Sequence, residues 1–314
     1  MRAIVVEQYG PPSVARMADA PDPRASAGQV LVRVRAAGVT TGDARVRGAA
    51  FPVGMGWAAR LGFGVRGPRR PILGMSFSGE VAAVGEGVRD VAVGDAVAGT
   101  TGARFGAHAE FAAVDATRVV PKPDGVSHEA AAAVLFGGLT ALHFLDAVGL
   151  AAGQRVLVVG ASGSVGSSAV QLARIAGARV TAVASARNAE LVRRLGAERV
   201  VDYARTPVAG LEERFDVILD TVGTLSAASG RPLLRAGGTL VLIAGGLRDM
   251  LNVRRDVKTG VAGERPEHMR RLLALLASGE LDPVIQETMP LAEIARAYEI
   301  VDSRRKVGNV VVAP

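Results

Sequence analysis

Apolar and polar positions change rhythm along the chain. Up to residue 120 the apolar runs are short, at 3–7, 30–35, 79–84, 96–98 and 110–114. Gly, Pro and Asp separate them, as in Tyr9-Gly10-Pro11-Pro12, Pro21-Asp22-Pro23 and Val93-Gly94-Asp95. Short strands bounded by turn residues predict antiparallel structure, here a partly open β-barrel. Pro121-Lys-Pro-Asp-Gly125 closes that region, and Ser127 is placed to cap a long apolar helix through Leu145. From Gln154 strands alternate with helical periodicity. Strands are expected at 155–159, 179–184, 199–202, 216–220 and 239–243, and helices at 189–195 and 226–235. Such alternation predicts an α/β unit, a doubly wound parallel sheet covered on both faces. An amphipathic helix follows at 268–277, with strands at 283–286 and 307–312. No helix is expected after the last strand, so these two strands are predicted to rejoin the first domain. The expected division is 1–122 with 281–314, and 123–280.

The richest local pattern is Val156-Leu-Val-Val-Gly160-Ala161-Ser162-Gly163-Ser164-Val165-Gly166. An apolar strand enters a glycine turn that opens a helix, the context that gives this spacing meaning. Backbone N–H groups at the helix start and the positive end of its dipole suit a pyrophosphate. Gly163 lets the backbone approach the phosphates, and Gly166 lets the helix pack closely on the sheet. An NAD site usually has Asp or Glu about 20 residues further on, but no carboxylate lies between Gly166 and Glu190. Ser185, Arg187 and Asn188 stand at the end of the next strand instead. A hydroxyl, a guanidinium and an amide suit the 2′-phosphate of NADPH, the predicted cofactor.

Composition narrows the function classes. The 314 residues can hold two domains, with 49% hydrophobic and 21% charged residues. The opening Met1-Arg-Ala-Ile-Val-Val-Glu7 is expected to be a strand and not a signal peptide, so the predicted location is cytoplasmic. The apolar run 130–142 is short of a bilayer span, and no membrane partner is expected. The chain has no cysteine, which removes thiolate ligands and thiol nucleophiles. Its histidines, His108, His128, His143 and His268, lack paired metal-ligand spacing, so no metal is expected. A net charge of +7 raises nucleic-acid binding, but the arginines are scattered and aromatics make up only 4%. Nucleic acid is therefore not an expected partner.

In this order and spacing, the segments resemble a zinc-independent medium-chain dehydrogenase/reductase of the quinone oxidoreductase type. Gln8-Tyr-Gly-Pro-Pro12, Pro71-Ile-Leu-Gly-Met-Ser-Phe-Ser-Gly-Glu80-Val and Val93-Gly-Asp-Ala-Val97 carry the likeness in the first half. Glu129-Ala-Ala-Ala, Gly138-Leu-Thr-Ala-Leu142, the glycine turn, Leu195-Gly-Ala197, Asp202-Tyr203 and Lys306-Val-Gly-Asn-Val-Val-Val312 continue it. The resemblance implies a GroES-like catalytic domain and a Rossmann domain, with substrate and nicotinamide in the cleft between them. It implies a homodimer formed through the Rossmann sheet edge, with 239–243 as the candidate seam. It places Tyr203, Ala244, Lys306 and Asn309 with the cofactor, and Thr40, Thr41 and Thr140 near the nicotinamide or substrate. Where the family usually has Asn-Pro, this chain has Thr40-Thr41, whose hydroxyls have a shorter reach. Other roles stay open: a capped helix start with Asp43 for the threonine pair, a backbone bond within its helix for Thr140, and packing for Tyr203.

Neither the thiolates of zinc alcohol dehydrogenases nor a Tyr four residues before a Lys, as in short-chain dehydrogenases, is present. With no metal or evident acid, the best acceptor is one that spreads the incoming charge, a quinone or an α,β-unsaturated carbonyl. A plain ketone would form a localised alkoxide. The segment 51–71 is long for a connection and gathers Phe51, Met55, Trp57, Leu61 and Phe63. It is predicted to be a lid or wall over a flat acceptor, with a structural cover or a membrane-surface segment as alternatives. Two other functions remain: an NADPH-binding protein with incidental activity, like lens crystallins resembling this family, and a dedicated enoyl reductase of a biosynthetic pathway.

Overall fold

The turn-bounded apolar runs of the N-terminal region do form strands. Residues 1–51, 54, 56–250 and 255–314 are described in this computed structural model. Strands β1 (Arg2–Val5) and β2 (Arg16–Asp19) pair as a separate antiparallel ribbon. β3 (Gln29–Gly38) leads into helices α1 (Thr41–Arg47) and α2 (Gly56–Phe63). β4 (Ser76–Val84), β5 (Ala96–Thr100), β6 (Phe111–Asp115) and β7 (Val119–Pro121) follow. Ser127 accepts a hydrogen bond from Ala130 N at the start of α3 (His128–Ala147), as its position predicts. α3 is the one described helix long and apolar enough to cross a bilayer, and 67% of its apolar window is buried inside the protein.

Next come β8 (Arg155–Val159), α4 (Ser164–Ile175), β9 (Arg179–Ala184), α5 (Ala189–Arg194), β10 (Arg199–Asp202) and β11 (Phe215–Asp220). The helix expected at 226–235 is only one turn, α6 (Ala227–Gly230), because Pro232 and the following β12 (Leu234–Leu242) stop it. α7 (Leu247–Met250) and β13 (Val257–Thr259) complete this region. The chain ends with α8 (Pro266–Ala277), β14 (Ile285–Pro290), α9 (Ile294–Asp302) and β15 (Asn309–Ala313).

Two compact units result. One comprises Met1–Phe51, Gly56–Phe136 and Glu264–Pro314; the other is centred on Gly137–Gly263. In the first, the sheet order is β14-β15-β3-β4-β5-β7, with β6 also on β3 and only β14–β15 parallel. Its core joins Val30, Val32, Phe77 and Val97 to Met289, Tyr298, Val310 and Val312 from the other end of the sequence. α8 packs beside β7 and belongs to this unit, whereas the sequence boundary at 280 would leave it outside.

In the second unit all neighbouring strands are parallel, in the order β10-β9-β8-β11-β12-β13. Numbered from the first of the six, that is 3-2-1-4-5-6, the Rossmann order. The order of successive strands reverses between β8 and β11, and at such a switch point ligands bind beyond the carboxyl ends of the strands. The seam expected at 239–243 needs correction. Residues Leu240–Leu242 pair with β11 on one side and with Val257–Thr259 on the other, so β13 covers that edge.

Candidate active site

The second unit builds the glycine turn on a dry strand, with Val156, Leu157 and Val158 fully buried. Gly160 has φ +80°, and a Cβ there would lie 2.5 Å from Val222 Cγ1 and 2.6 Å from Thr221 Oγ1. Backbone conformation and space both require glycine. The N–H groups of Gly160 and Ala161 both donate to Val183 O, at 3.1 and 3.0 Å, tying the turn to β9. At Gly166 a Cβ would lie 2.1 Å from Gly160 O, so α4 rests directly on the turn backbone. Gly163 is different. Its φ is −81°, and a Cβ would find nothing closer than Gly160 O at 3.5 Å. Protein packing leaves room for a side chain there, the room a phosphate would use. No side chain caps this end of α4, so the N–H groups of Ser164, Val165 and Gly166 face outward along its positive pole.

The end of β9 carries the residues expected to meet a 2′-phosphate. Ser185 Oγ is buried without a hydrogen-bond partner, which the fold alone does not explain. Arg187 is exposed. Asn188 Nδ2 donates to Ser162 Oγ at 3.0 Å and joins this corner to the glycine turn. Asp202 is in register with Ala184, which sets Tyr203, 58% exposed, at the neighbouring strand end. The donors and the open glycine fit a phosphorylated dinucleotide.

Two further elements of this unit escaped the sequence analysis. Asp220 is fully buried at the end of β11 and accepts from the N–H groups of Val222, Gly223 and Leu225. Burial raises its pKa, and these hydrogen bonds act in the opposite direction. The turn it holds brings Gly223 towards Ala244, whose oxygen would lie 3.5 Å from a Cβ at Gly223. Gly137 of α3 lies so close to α4 that a Cβ would meet Ser164 O at 2.4 Å. Thr140, one turn further along α3, is half-buried.

In the first unit, Thr40 and Asp43 form the helix start left open as an alternative by the sequence. Thr40 Oγ1 accepts from Asp43 N at 3.2 Å, and Asp43 Oδ2 accepts from Thr40 N at 2.9 Å. The Thr40 hydroxyl donates its proton to Asp43 Oδ2 at 2.6 Å, and Asp43 Oδ1 accepts from Gly74 N at 2.9 Å. Thr41 is exposed. A Cβ on Gly42 would touch Met75 Sδ, Thr40 Oγ1 and Phe136 Cε2, so an uncharged wall lies beside the pair. Lys306 Nζ donates to Gly308 O, and burial lowers its pKa to about 8. Asn309 Nδ2 donates to Pro283 O at 2.6 Å, a bond within this unit.

Phe51 and Phe63 stack at 5.6 Å, and Phe63 meets Phe105 at 6.1 Å. Trp57 is not part of that cluster and is 71% exposed. Met55 lies outside the described residues. Among the described residues, no group of three or more His, Cys, Asp or Glu could hold a metal ion.

Residues 26–124 match the alcohol dehydrogenase GroES-like domain, and residues 195–312 match the zinc-binding dehydrogenase domain. The chain is 32% identical to the quinone oxidoreductase of Pseudomonas aeruginosa over 98% of its own length and 97% of that protein. It belongs to the medium-chain dehydrogenase/reductase family. This medium-chain dehydrogenase/reductase is thus an oxidoreductase. It is 28% identical, over its full length and 80% of the relative, to the chloroplastic NADPH-dependent alkenal/one oxidoreductase of Arabidopsis thaliana. The spectinabilin polyketide synthase system protein NorB of Streptomyces orinoci is 34% identical over 93% of this chain, which spans 14% of that protein. The quinone oxidoreductase structure from Coxiella burnetii superposes with a TM-score of 0.90 at 28% identity, covering 100% of this chain and 99% of that one. The second domain's description names zinc; the sequence has no cysteine, and among the described residues no cluster of three His, Asp or Glu is placed to bind it.

Proposed function

We propose that this protein reduces quinones or α,β-unsaturated carbonyl compounds with NADPH and without a metal ion. The end of β9 carries the cofactor choice: a buried, unpartnered Ser185 hydroxyl, an exposed Arg187, and no carboxylate before Glu190. Ser185 and Arg187 would donate to the 2′-phosphate, charge-assisted in the case of Arg187. The N–H groups of Ser164, Val165 and Gly166 would hold the pyrophosphate over Gly163. Tyr203 would flank the adenosine end, with Ala244 and Thr140 contacting the cofactor further along. Lys306 and Asn309 are further proposed cofactor residues. NADPH, when bound, supplies the hydride.

The acceptor oxygen would rest against the Thr41 hydroxyl, because the Thr40 proton is already held by Asp43. Hydride addition at the carbon β to the carbonyl breaks the C=C π bond; that pair forms the enolate double bond while the C=O π pair moves to the oxygen. A hydrogen bond from Thr41 favours the resulting delocalised anion, which would then take a proton from solvent water at the α-carbon, leaving hydroxide. Met75 and Phe136 offer the flat, uncharged wall that such an acceptor needs. Phe51 and Phe63 would extend it.

The test is NADPH consumption by the purified protein with quinones, enones and simple ketones, repeated with NADH and after dialysis against a chelator. Quinones or enones should be turned over with NADPH at a rate the chelator does not change. Equal turnover of simple ketones, or loss of activity on chelation, would reject this reading. Likeness to NorB favours a second one, a dedicated enoyl reductase, which a steep preference for one unsaturated thioester would reveal.

A further inference from the structure

We infer that the exposed apolar ridge on and just after α2 docks on an anionic lipid bilayer. Trp57, Leu61 and Val65 are 71%, 59% and 62% exposed. Trp57 and Leu61 are four residues apart and so share one face of α2, and exposed Val65 follows in the loop after Gly64, whose φ of +132° ends the helix. Three large exposed apolar side chains within nine residues are unusual on a surface otherwise free to hold polar residues.

The ridge is held outward from beneath. Phe63, half-buried, stacks on Phe51 and packs against the core of the first unit. Tyr9 Oη donates to Gly64 O at 2.6 Å, and the Arg60 guanidinium lies 5.4 Å above the Tyr9 ring. Arg69 N donates to Phe63 O at 2.6 Å. A Cβ on Gly67 would lie 2.1 Å from Glu7 O, so this loop sits directly on the first strand's exit. These contacts fix the end of α2 and the loop after it.

Charge identifies the occupant. Between Asp43 and Glu80 there is no acidic residue, while Arg45, Arg47, Arg60, Arg66, Arg69 and Arg70 fall in that interval. Arg60, Arg66, Arg69 and Arg70 are exposed around the ridge. Tryptophan and arginine together suit the boundary of headgroups and acyl chains, where the ring enters and the cations meet phosphate. A second copy of this chain would bring the same arginines against themselves in a two-fold contact. The acceptor class proposed above plays no part in this inference.

Trp57 is the only tryptophan, so its emission reports on the ridge directly. The full chain should be titrated with vesicles of phosphatidylcholine and with vesicles of equimolar phosphatidylcholine and phosphatidylglycerol, and sedimented with each. On the anionic vesicles alone, emission should shift to the blue, be quenched by brominated acyl chains, and revert at high salt. Arg66→Gln with Arg70→Gln should weaken partitioning about 30-fold, about fivefold for each charge removed. Leu61→Ser, which keeps the reporter, should weaken it too. Unchanged emission with the protein left in the supernatant would overturn the inference. So would equal binding to both vesicle types, or a blue shift that follows protein concentration without lipid.

Discussion

Alanine at Gly163 and alanine at Gly166 should fail in opposite ways. At 163 the backbone is in an ordinary region, φ −81°, and the new methyl group would be 3.5 Å from Gly160 O, a normal contact. The stability loss is that of exchanging glycine for alanine at a helix N-cap, about 0.5–1 kcal/mol. At 166 the methyl group would lie 2.1 Å from Gly160 O and 2.8 Å from Ala161 Cα, both backbone atoms that cannot rotate away. Overpacking of this kind costs about 3 kcal/mol or more. At roughly 2–4 °C per kcal/mol, the melting midpoint should fall by about 1–4 °C for Gly163→Ala and about 6–12 °C for Gly166→Ala. Binding should order the variants differently. A phosphate accepting from backbone N–H groups at about 2.9 Å needs the space the methyl group at 163 would take. One lost hydrogen bond to a charged group is worth about 1.5–3 kcal/mol, or about 10–100-fold in Kd. Scanning calorimetry gives the first quantity and titration calorimetry with NADPH the second. An unchanged NADPH Kd in Gly163→Ala would refute the phosphate position, as would a stability loss equal to that of Gly166→Ala.

Arg187→Ala and Ser185→Ala should each weaken NADPH about tenfold or more while leaving NADH nearly unchanged, in a fluorescence titration of both cofactors; equal losses would remove the 2′-phosphate from this corner. Thr41→Val should leave melting unchanged but lower turnover of the best acceptor about tenfold, whereas Thr40→Val should lower the melting midpoint because Asp43 loses its capping partner. Wild-type turnover in Thr41→Val would take the acceptor away from that hydroxyl. His128 donates from Nδ1 to Ser78 Oγ at 2.8 Å, since the Ser78 proton goes to Val97 O. Burial, helped by Lys122, lowers its pKa from 6.5. Stability from this site should therefore be present above pH 6.5 and lost as pH falls through the lower folded-state pKa. His128→Gln should flatten the melting midpoint between pH 7 and pH 5, and an unaltered pH slope would contradict that.

What the sequence disclosed was mostly local. The glycine turn, its strand and its helix lie in one unbroken stretch, residues 155–175, so spacing alone carries them. The Ser127 cap and the Thr40–Asp43 pair were also within reach, because a capping side chain bonds three residues away. α9 was missed although Ile294, Ala297, Tyr298 and Val301 give it a buried face at helical spacing. β13 gave almost no signal, being three residues at a sheet edge, and its absence from the expectation put the sheet edge one strand too early, at 239–243. The close approaches of Gly137 to Ser164 and of Gly38 to Ser76, where a Cβ would stand 2.6 Å from Oγ, join distant segments and leave no local trace. Neither does the buried contact of His108 with Tyr298, whose rings lie 6.1 Å apart across 190 positions. The α2 ridge was legible as an aromatic loop, but only the structure separates Phe63, turned into the core, from Trp57, turned out.

The place of β15 has a consequence for biosynthesis. It lies between β14 and β3 in the first sheet, pairing Val311 and Val312 with Gly38 and Ala37. All the strands of the Rossmann sheet lie between 137 and 263, so that sheet can form as soon as this stretch has left the ribosome. The surrounding unit must keep its early strands incomplete until residues near 310 arrive. A nascent chain stalled between these points would hold a finished nucleotide-binding half beside an unfinished barrel, and that is the stage at which chaperones have the most to hold.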